Sequence, residues 1–220
     1  MTIDDYIEAH IEPEHPYLHA LWRATYLHLN YPRMASGHLQ GEVLRMMVQM
    51  IRPRRVLEVG TFTGYAALAM ASALQPDAHL YTVEIYDEQE DFTRPWIEQS
   101  PWADKVTFII GDIMELLQAP ATGTEASRPA LPEKFDLIFL DADKRHYIEH
   151  YEALIPRLAQ GGFLLADNTL WDGHVVEDDR RASDLKTHGI MDFNDHVAAD
   201  PRVEQVILPL RDGLTVIRLK

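Results

Sequence analysis

The chain has 220 residues, no cysteine, and a net charge of −15 that arises from 20 basic and 35 acidic side chains. The absence of cysteine excludes disulfides and thiolate metal sites, so any metal has to be bound by oxygen or imidazole. The acidic balance disfavours binding to nucleic acid and to anionic membranes. The length suits a single domain, residues 1–220. Because neither a signal peptide nor an apolar run of membrane-spanning length is recognisable, we expect a cytoplasmic protein.

Residues 1–35 are predicted to form a helical cap on this domain. Apolar side chains recur near helical spacing from residue 3 to residue 30, with a break around Pro13 and Pro16. A further helix is predicted to begin at Ser36. Its apolar stripe, which should pack on a sheet, consists of Leu39, Val43, Leu44, Met47 and Ile51.

Residues 56–74 form the pattern around which the rest of the chain is organised. Apolar and β-branched residues 56–59 predict a strand, Gly60 and Gly64 predict a tight turn, and the Ala-rich run that follows predicts a helix. In a doubly wound sheet, nucleotide-like ligands bind beside such a turn, where backbone N–H groups face the ligand. The alternative is a turn that only connects a strand to a helix.

An acidic residue lies at or just after the end of each of the next two predicted strands. The strand over 79–85 carries Glu84, which lies 20 positions beyond Gly64 and is therefore placed to accept hydrogen bonds from ribose hydroxyls. The alternative is a surface acid at the start of the next helix. Asp112 follows the strand over 106–110, and it can either cap a short helix or accept from an adenine amino group.

Residues 118–133 are rich in Pro and Ala without periodicity, which predicts a surface loop. The very apolar run 135–140 predicts a central parallel strand, and a helix should then continue through Leu158. The pair Gly161-Gly162 is predicted to precede a strand over 163–166.

The last third of the chain is predicted to contain one helix and two strands. The helix should run from about Ser183 to Ala199, and the strands cover 203–208 and 214–219. Asp212-Gly213 between the two apolar runs is a hairpin signal, so we expect an antiparallel last strand.

Oxygen ligands follow two of the predicted strands. Asp141 comes directly after the strand over 135–140, and Asp167 and Asn168 end the next one. Two carboxylates and an amide oxygen suit Mg²⁺, with Mn²⁺ or Ca²⁺ possible, and they leave an octahedral ion three positions for a substrate and water. The alternative is that these acids only cap the helices that follow the strands.

Lys144 lies three positions beyond Asp141, at the mouth of the same cleft. A nearby cation lowers the pKa of an amine, so Lys144 could act as a general base; a solvated lysine in the first turn of a helix is the alternative. His146 and His150 have the spacing of a metal-binding pair, but no third ligand is evident in the sequence.

Five segments of this sequence resemble the cation-dependent S-adenosylmethionine O-methyltransferases, the group that includes the catechol and caffeoyl-coenzyme A enzymes. The segments are residues 34–41, 57–65, 139–144, 167–173 and 210–214, in matching order over roughly residues 30–220. The resemblance implies an α/β fold with a Rossmann-like, doubly wound sheet of seven strands, of which the last is antiparallel. It also implies a homodimer.

The resemblance further implies roles for individual residues. The methyl donor would be bound by Ser36, Gly60, Thr61, Phe62, Tyr65 and Ala66, with Glu58 supporting the turn, Glu84 on the ribose, and Asp112 and Ile113 on the adenine. Asp141 would be both a donor-binding and a catalytic residue. Mg²⁺ would be held by Asp141, Asp167 and Asn168, and Lys144 would be the base. Ala66 stands where the family usually has a serine, so one donor contact is expected to pass to water or to Tyr65.

The resemblance predicts methyl transfer to a hydroxyl of a vicinal-dihydroxy aromatic small molecule. One alternative keeps this chemistry but places it on a hydroxylated tRNA base, which the charge of −15 disfavours. A nicotinamide oxidoreductase is another alternative, although the Gly60-x-x-x-Gly64 turn lacks the G-x-G-x-x-G spacing. A third is a protein that binds the methyl donor without catalysis, which the intact set of Asp141, Lys144, Asp167 and Asn168 disfavours.

Overall fold

The computed structural model describes residues 1–118, 130–177 and 184–220. The helices of this part of the chain are α1 (Ile3–Glu8), α2 (Pro16–His28), α3 (Gly37–Ile51), α4 (Tyr65–Ala71), α5 (Glu90–Glu98), α6 (Ile113–Gln118), α7 (Tyr147–Leu154) and α8 (Leu185–Ala199). The strands are β1 (Arg55–Val59), β2 (His79–Glu84), β3 (Val106–Ile110), β4 (Phe135–Leu140), β5 (Leu158–Asp167), β6 (Val203–Leu208) and β7 (Leu214–Leu219).

The seven strands form one sheet in the order β3-β2-β1-β4-β5-β7-β6. The five strands β1 to β5 are parallel to one another, whereas β7 runs antiparallel to both of its neighbours. The chain reverses between β6 and β7 at the predicted turn, where Gly213 adopts φ +90°. The predicted seven-stranded α/β sheet with an antiparallel last strand is therefore confirmed.

Helices cover both faces of the sheet because successive side chains of each central strand point to opposite sides. Val56 packs with α3 and α4 on one face, and Leu57 packs with α6, α7 and α8 on the other. Both side chains are fully buried. Since helices cover both faces of these strands, the carboxyl ends of the parallel strands are the place where polar side chains can meet.

The N-terminal segment is helical, as predicted, and its helices α1 and α2 flank the break at Pro13 and Pro16. Leu18 and Leu21 of α2 pack against Tyr65 and Leu68 of α4. In the part of the chain that the structure describes, no helix is both long and apolar enough to cross a membrane.

Two predicted boundaries around β5 are wrong. The helix expected to run through Leu158 ends at Leu154 and is followed by a 3-10 turn, because Pro156 has no N–H with which to continue the helix. Strand β5 then begins at Leu158 rather than at Phe163, and its pairing with β4 shifts register across residues 159–162. The pair Gly161-Gly162 thus lies in a bulge within the strand.

Two other predictions fall partly outside the described residues. The Pro- and Ala-rich loop over 118–133 includes residues 119–129, which are not described, and the predicted helix start at Ser183 also lies outside the described ranges. Helix α8 begins at Leu185, and the Asp184 carboxylate caps it by accepting from the backbone N–H of Thr187 at 3.2 Å.

Candidate active site

The turn between β1 and α4 packs tightly against the end of β4. Gly60 has φ +99°, and a Cβ atom at this position would lie 2.0 Å from the carbonyl oxygen of Asp141. The Asp141 N–H donates to the carbonyl of Val59 at 2.8 Å, which holds the two strand ends together. Gly64, with φ +84°, is the N-cap residue that precedes α4. Only glycine combines this backbone conformation with so close an approach of two main chains.

A pocket opens beside this turn. It is lined by Met34, Ala35, Ser36, Gly60, Thr61, Phe62, Thr63, Tyr65, Ala66 and Asp141. Seven of the eleven residues that were predicted to bind the methyl donor are therefore in one place, contributed by the α3 N-terminus, the glycine turn and the end of β4. A larger groove of about 710 Å³, at the opposite end of the strands, contains none of the predicted site residues.

Glu84 faces the same turn from the end of β2. Its Oε2 atom accepts from the backbone N–H groups of Thr61 at 3.1 Å and Phe62 at 2.9 Å. The carboxylate therefore fixes the turn in this structure, while its second oxygen accepts from the N–H of Tyr86.

Asp112 and Ile113 lie at the start of α6. The Asp112 carboxylate accepts from the N–H of Met114 at 2.8 Å, which is the capping role that the sequence left open. Ile113 is buried in the core on that face of the sheet.

Glu58 lies beneath the glycine turn and is fully buried. The Thr82 hydroxyl donates to its Oε2 at 2.5 Å, and the hydroxyls of Thr82 and Thr61 are also hydrogen-bonded. Among the described residues, no partner reaches its Oε1. Burial, followed by the charges of Asp141 and Glu84, raises the pKa of Glu58 well above its usual range. The carboxyl therefore supports the turn from below, through the two threonines.

The three predicted metal ligands lie at the ends of β4 and β5, which are adjacent parallel strands. Asp167 is 4% exposed. Its Oδ2 accepts from Gln40 Nε2 at 2.7 Å, and its Oδ1 accepts from the N–H of Asn168 at 2.9 Å. Asn168 has φ +59°, a conformation that asparagine tolerates better than most residues, and its side-chain amide donates to Asp212 at 3.3 Å.

The surroundings of Asp167 oppose its ionised form. Burial, and then the negative charge of Asp141, raise the pKa of Asp167 to about 6, while Lys144 and Gln40 act in the opposite direction. A buried carboxylate close to a second carboxylate is an environment that a cation stabilises.

Lys144 lies in a 3-10 turn immediately after β4, and its side chain is 8% exposed. Its Nζ donates to Asp141 Oδ1 and to the Tyr147 hydroxyl, both at 2.6 Å. Tyr147 is fully buried and its hydroxyl donates in turn towards the Asp167 carbonyl at 3.0 Å. Lys144 is therefore not the solvated lysine that the sequence left as an alternative, because its Nζ is held by hydrogen bonds inside the cleft.

The histidine pair is not supported as a metal site. The rings of His146 and His150 are 6.4 Å apart, and His146 Nδ1 contacts Glu149. Across the described ranges, no group of three or more histidine, aspartate or glutamate side chains is arranged to hold a metal ion. The predicted magnesium ligands, Asp141, Asp167 and Asn168, are not a group of this kind, because one of the three is an amide.

Sequence reasoning missed four residues that organise the site: Gln40, Tyr147, Arg211 and Asp212. Gln40 had a detectable signal, because its spacing to Leu44 and Val48 places it on the buried face of α3. The predicted stripe was centred one position away from this face. No local signal indicates that Arg211 reaches Gln40, because the two are 171 positions apart.

The fold and the pocket together define an α/β enzyme of the nucleotide-binding type, with an acidic and amine-bearing cleft beside its glycine turn. A family model described as O-methyltransferase matches residues 7–220. Tricin synthase 1 of Oryza sativa subsp. japonica is 36% identical over 194 residues, which cover 84% of this chain and 74% of the rice protein. Caffeoyl-CoA O-methyltransferase 1 of Eucalyptus globulus is 35% identical over 190 residues, with the same shares.

A solved structure agrees with these relatives. The O-methyltransferase from Bacillus cereus in complex with SAH superposes with a TM-score of 0.86 at 26% identity, over 99% of this chain and 97% of that one. The chain belongs to the O-methyltransferase family. The resemblance inferred from the sequence is thus confirmed, and the oxidoreductase and non-catalytic alternatives are set aside.

Proposed function

We propose that this enzyme transfers a methyl group from S-adenosylmethionine to one hydroxyl of a vicinal-dihydroxy aromatic small molecule, with Mg²⁺ bound beside the acceptor. One observation carries the proposal. The Lys144 amine and the Asp141 carboxylate are hydrogen-bonded at 2.6 Å inside a cleft that also contains buried Asp167 and that borders the glycine turn. A positioned amine beside hard oxygen ligands suits deprotonation of a hydroxyl.

The donor is proposed to bind in the pocket beside the glycine turn. Its lining includes Ser36, Gly60 and Tyr65, and the Bacillus cereus relative is described in complex with SAH, the demethylated donor. Turns of this type present N–H groups and close backbone approach to nucleoside ligands. Glu84, already held at the turn, is the residue proposed to accept from the donor's ribose hydroxyls.

The residues at the ends of β4 and β5 fit a hard divalent cation. Asp141 and Asp167 supply carboxylate oxygens, and Asn168 directs its amide nitrogen to Asp212, which leaves its amide oxygen as a ligand. Burial, and then the negative charge of Asp141, raise the pKa of Asp167, so a bound cation would stabilise its ionised form. We propose Mg²⁺ as the occupant, with Mn²⁺ or Ca²⁺ as chemically acceptable substitutes.

The chemistry assigns a separate role to each group. When bound, a divalent cation lowers the pKa of a chelated hydroxyl and fixes its position. Lys144 accepts the hydroxyl proton at Nζ, and Asp141 and Tyr147 hold that atom in place. The sulfonium donor and the oxyanion combine to neutral products, so the burial of this cleft favours the transfer.

The names of the relatives support a small-molecule acceptor, because they refer to tricin and to caffeoyl-CoA and not to a nucleic acid. The net charge of −15 points the same way, since a polyanionic acceptor would be repelled. We also propose that the protein is a homodimer, and light scattering during size-exclusion chromatography measures its mass in solution.

The first experiment measures S-adenosylmethionine binding by calorimetry, followed by methyl transfer to catechol with Mg²⁺ and again with excess chelator. We expect saturable donor binding and transfer that chelation abolishes and added Mg²⁺ restores. Transfer that persists in chelator contradicts the metal assignment. Donor binding without transfer to any of a panel of catechols contradicts the acceptor class and directs the search to hydroxylated tRNA.

Replacing Lys144 with methionine is expected to lower kcat by about 100-fold, because a positioned general base typically contributes between about 10² and 10⁴. Donor affinity should stay within twofold, since Lys144 does not line the donor pocket. Lys105→Met is the matched control: Lys105 donates to the carbonyl of Leu74, far from the cleft. Equal losses of kcat in the two variants would exclude the proposed base.

A further inference from the structure

Gln40 is a buried polar side chain that connects the start of α3 to the end of β5. It is 2% exposed and lies on the face of α3 that also buries Leu44 and Val48. Its Nε2 donates to Asp167 Oδ2 at 2.7 Å, and its Oε1 accepts from Arg211 Nη1 at 2.8 Å. Both ends of the amide are therefore used.

The chemistry of the two partners fixes the orientation of this amide. Arginine can only donate hydrogen bonds, so the atom that faces Arg211 has to be the carbonyl oxygen. The NH₂ group must then face Asp167, where it meets a carboxylate that only accepts when ionised. The reversed amide would place donor against donor at one end and acceptor against acceptor at the other, which is unfavourable in a buried setting.

Arg211 is itself held in one position. It lies in the turn between β6 and β7 with φ +49°, and its guanidinium also donates to the backbone carbonyls of Ala35 and Ser36. The same turn is bound to the end of β5, because the N–H of Leu170 donates to the carbonyl of Asp212 at 2.6 Å. The turn therefore bridges the donor side of the pocket and the end of β5.

We propose that Gln40 is a positioning residue that aims the Asp167 carboxylate at the metal, and that Arg211 locks Gln40 in the orientation this requires. The inference rests on the proposed function, since it takes Asp167 as a metal ligand. One hydrogen bond from Gln40 occupies one lone pair of Oδ2 and leaves the other available. Groups that orient metal ligands in this way typically contribute between about 10- and 100-fold to metal affinity.

Gln40→Met tests the proposal, because methionine has a similar length and apolar volume but cannot donate to Asp167. Mg²⁺ affinity is measured by calorimetry without donor or acceptor, and methyl transfer is then followed as a function of Mg²⁺ concentration. We expect Mg²⁺ binding to weaken by about 10-fold or more. The Mg²⁺ concentration for half-maximal rate should rise in parallel, and kcat should recover at saturating Mg²⁺.

Val48→Ala is the matched control, since Val48 lies on the same buried face of α3, is 1% exposed, and packs in the core beneath the sheet. It should lower the free energy of unfolding and leave Mg²⁺ affinity unchanged. Equal Mg²⁺ affinity in Gln40→Met and the unaltered protein would overturn the inference alone. Equal weakening in both variants would also overturn it, because the effect would then follow stability. Failure of the unaltered protein to bind Mg²⁺ would overturn the inference together with the proposed metal.

Discussion

Replacing Asp167 with asparagine is expected to lower kcat/KM for a catechol by about 10³-fold at a fixed, physiological Mg²⁺ concentration. A bound metal contributes several kcal/mol of charge stabilisation, and each 1.36 kcal/mol corresponds to a tenfold change in rate. Asparagine keeps the size of the side chain and removes its charge. The measurement is methyl transfer with radiolabelled donor, combined with a calorimetric Mg²⁺ titration.

The same variant should remain folded. Because the pKa of Asp167 is raised to about 6 in the folded state, its ionised form opposes folding, and this penalty grows as pH rises from the unfolded-state pKa towards that value. Removing the charge offsets the altered contact with Gln40, so the free energy of unfolding of the metal-free protein should fall by no more than about 1–2 kcal/mol. Unaltered Mg²⁺ binding by a folded variant would disprove Asp167 as a ligand.

Asp136→Asn provides the control for a strand-associated aspartate outside the cleft. The Asp136 carboxylate accepts from the backbone N–H groups of Arg54 and Arg55, at the opposite end of β4 from Asp141. We expect this variant to be less stable than the unaltered protein, with an unchanged kcat and Mg²⁺ dependence. The contrast separates loss of chemistry from loss of stability.

Replacing Gly60 with alanine is expected to destabilise the protein by about 3 kcal/mol or more and to abolish donor binding. The added Cβ would lie 2.0 Å from the Asp141 carbonyl oxygen, and φ +99° is itself strained for alanine. Backbone has to move to relieve the clash, and that movement would separate the ends of β1 and β4. Urea denaturation measures the stability, and calorimetry measures the donor affinity.

Gly173→Ala separates the two causes. Gly173 has a similarly positive φ of +86°, but among the described residues no atom lies within 4 Å of the place that a Cβ atom here would occupy. Its replacement should therefore cost only the backbone strain, about 1 kcal/mol. Equal destabilisation at the two glycines would mean that the contact with Asp141 is unimportant.

The sequence predicted the features that are encoded locally. Apolar runs located the central strands, the Asp212-Gly213 pair located the hairpin, and polar residues after strands located the cleft, because each signal lies within a few neighbouring positions. The glycine pair at 161–162 was misinterpreted, because a bulge and a turn have the same local composition and only the pairing with β4 distinguishes them.

The contacts that support the site could not be predicted from the sequence, for a different reason. The roles of Gln40 and Arg211 arise from a hydrogen bond between residues 171 positions apart. Both residues lie in segments that carry the family resemblance, but nothing local in either segment indicates that the two side chains meet. Asp112 shows an intermediate case: the sequence offered a cap or a ligand contact, and the structure contains the cap. The family match then confirmed the reaction class, O-methyl transfer, that the resemblance in the sequence had implied.

The hairpin turn at residues 209–213 also bears on the order in which the protein can mature during synthesis. Residues 34–167 leave the ribosome with the pocket lining and the first two proposed metal ligands, but the guanidinium that orients Gln40 follows only at position 211. Protein synthesis proceeds at about 5–20 residues per second, so the stretch from Asp167 to Arg211 takes several seconds to make. A nascent chain should therefore form its glycine turn well before β7 completes the sheet and Arg211 aligns the cleft, and the metal affinity of a ribosome-bound chain should increase once the hairpin turn and β7 have emerged.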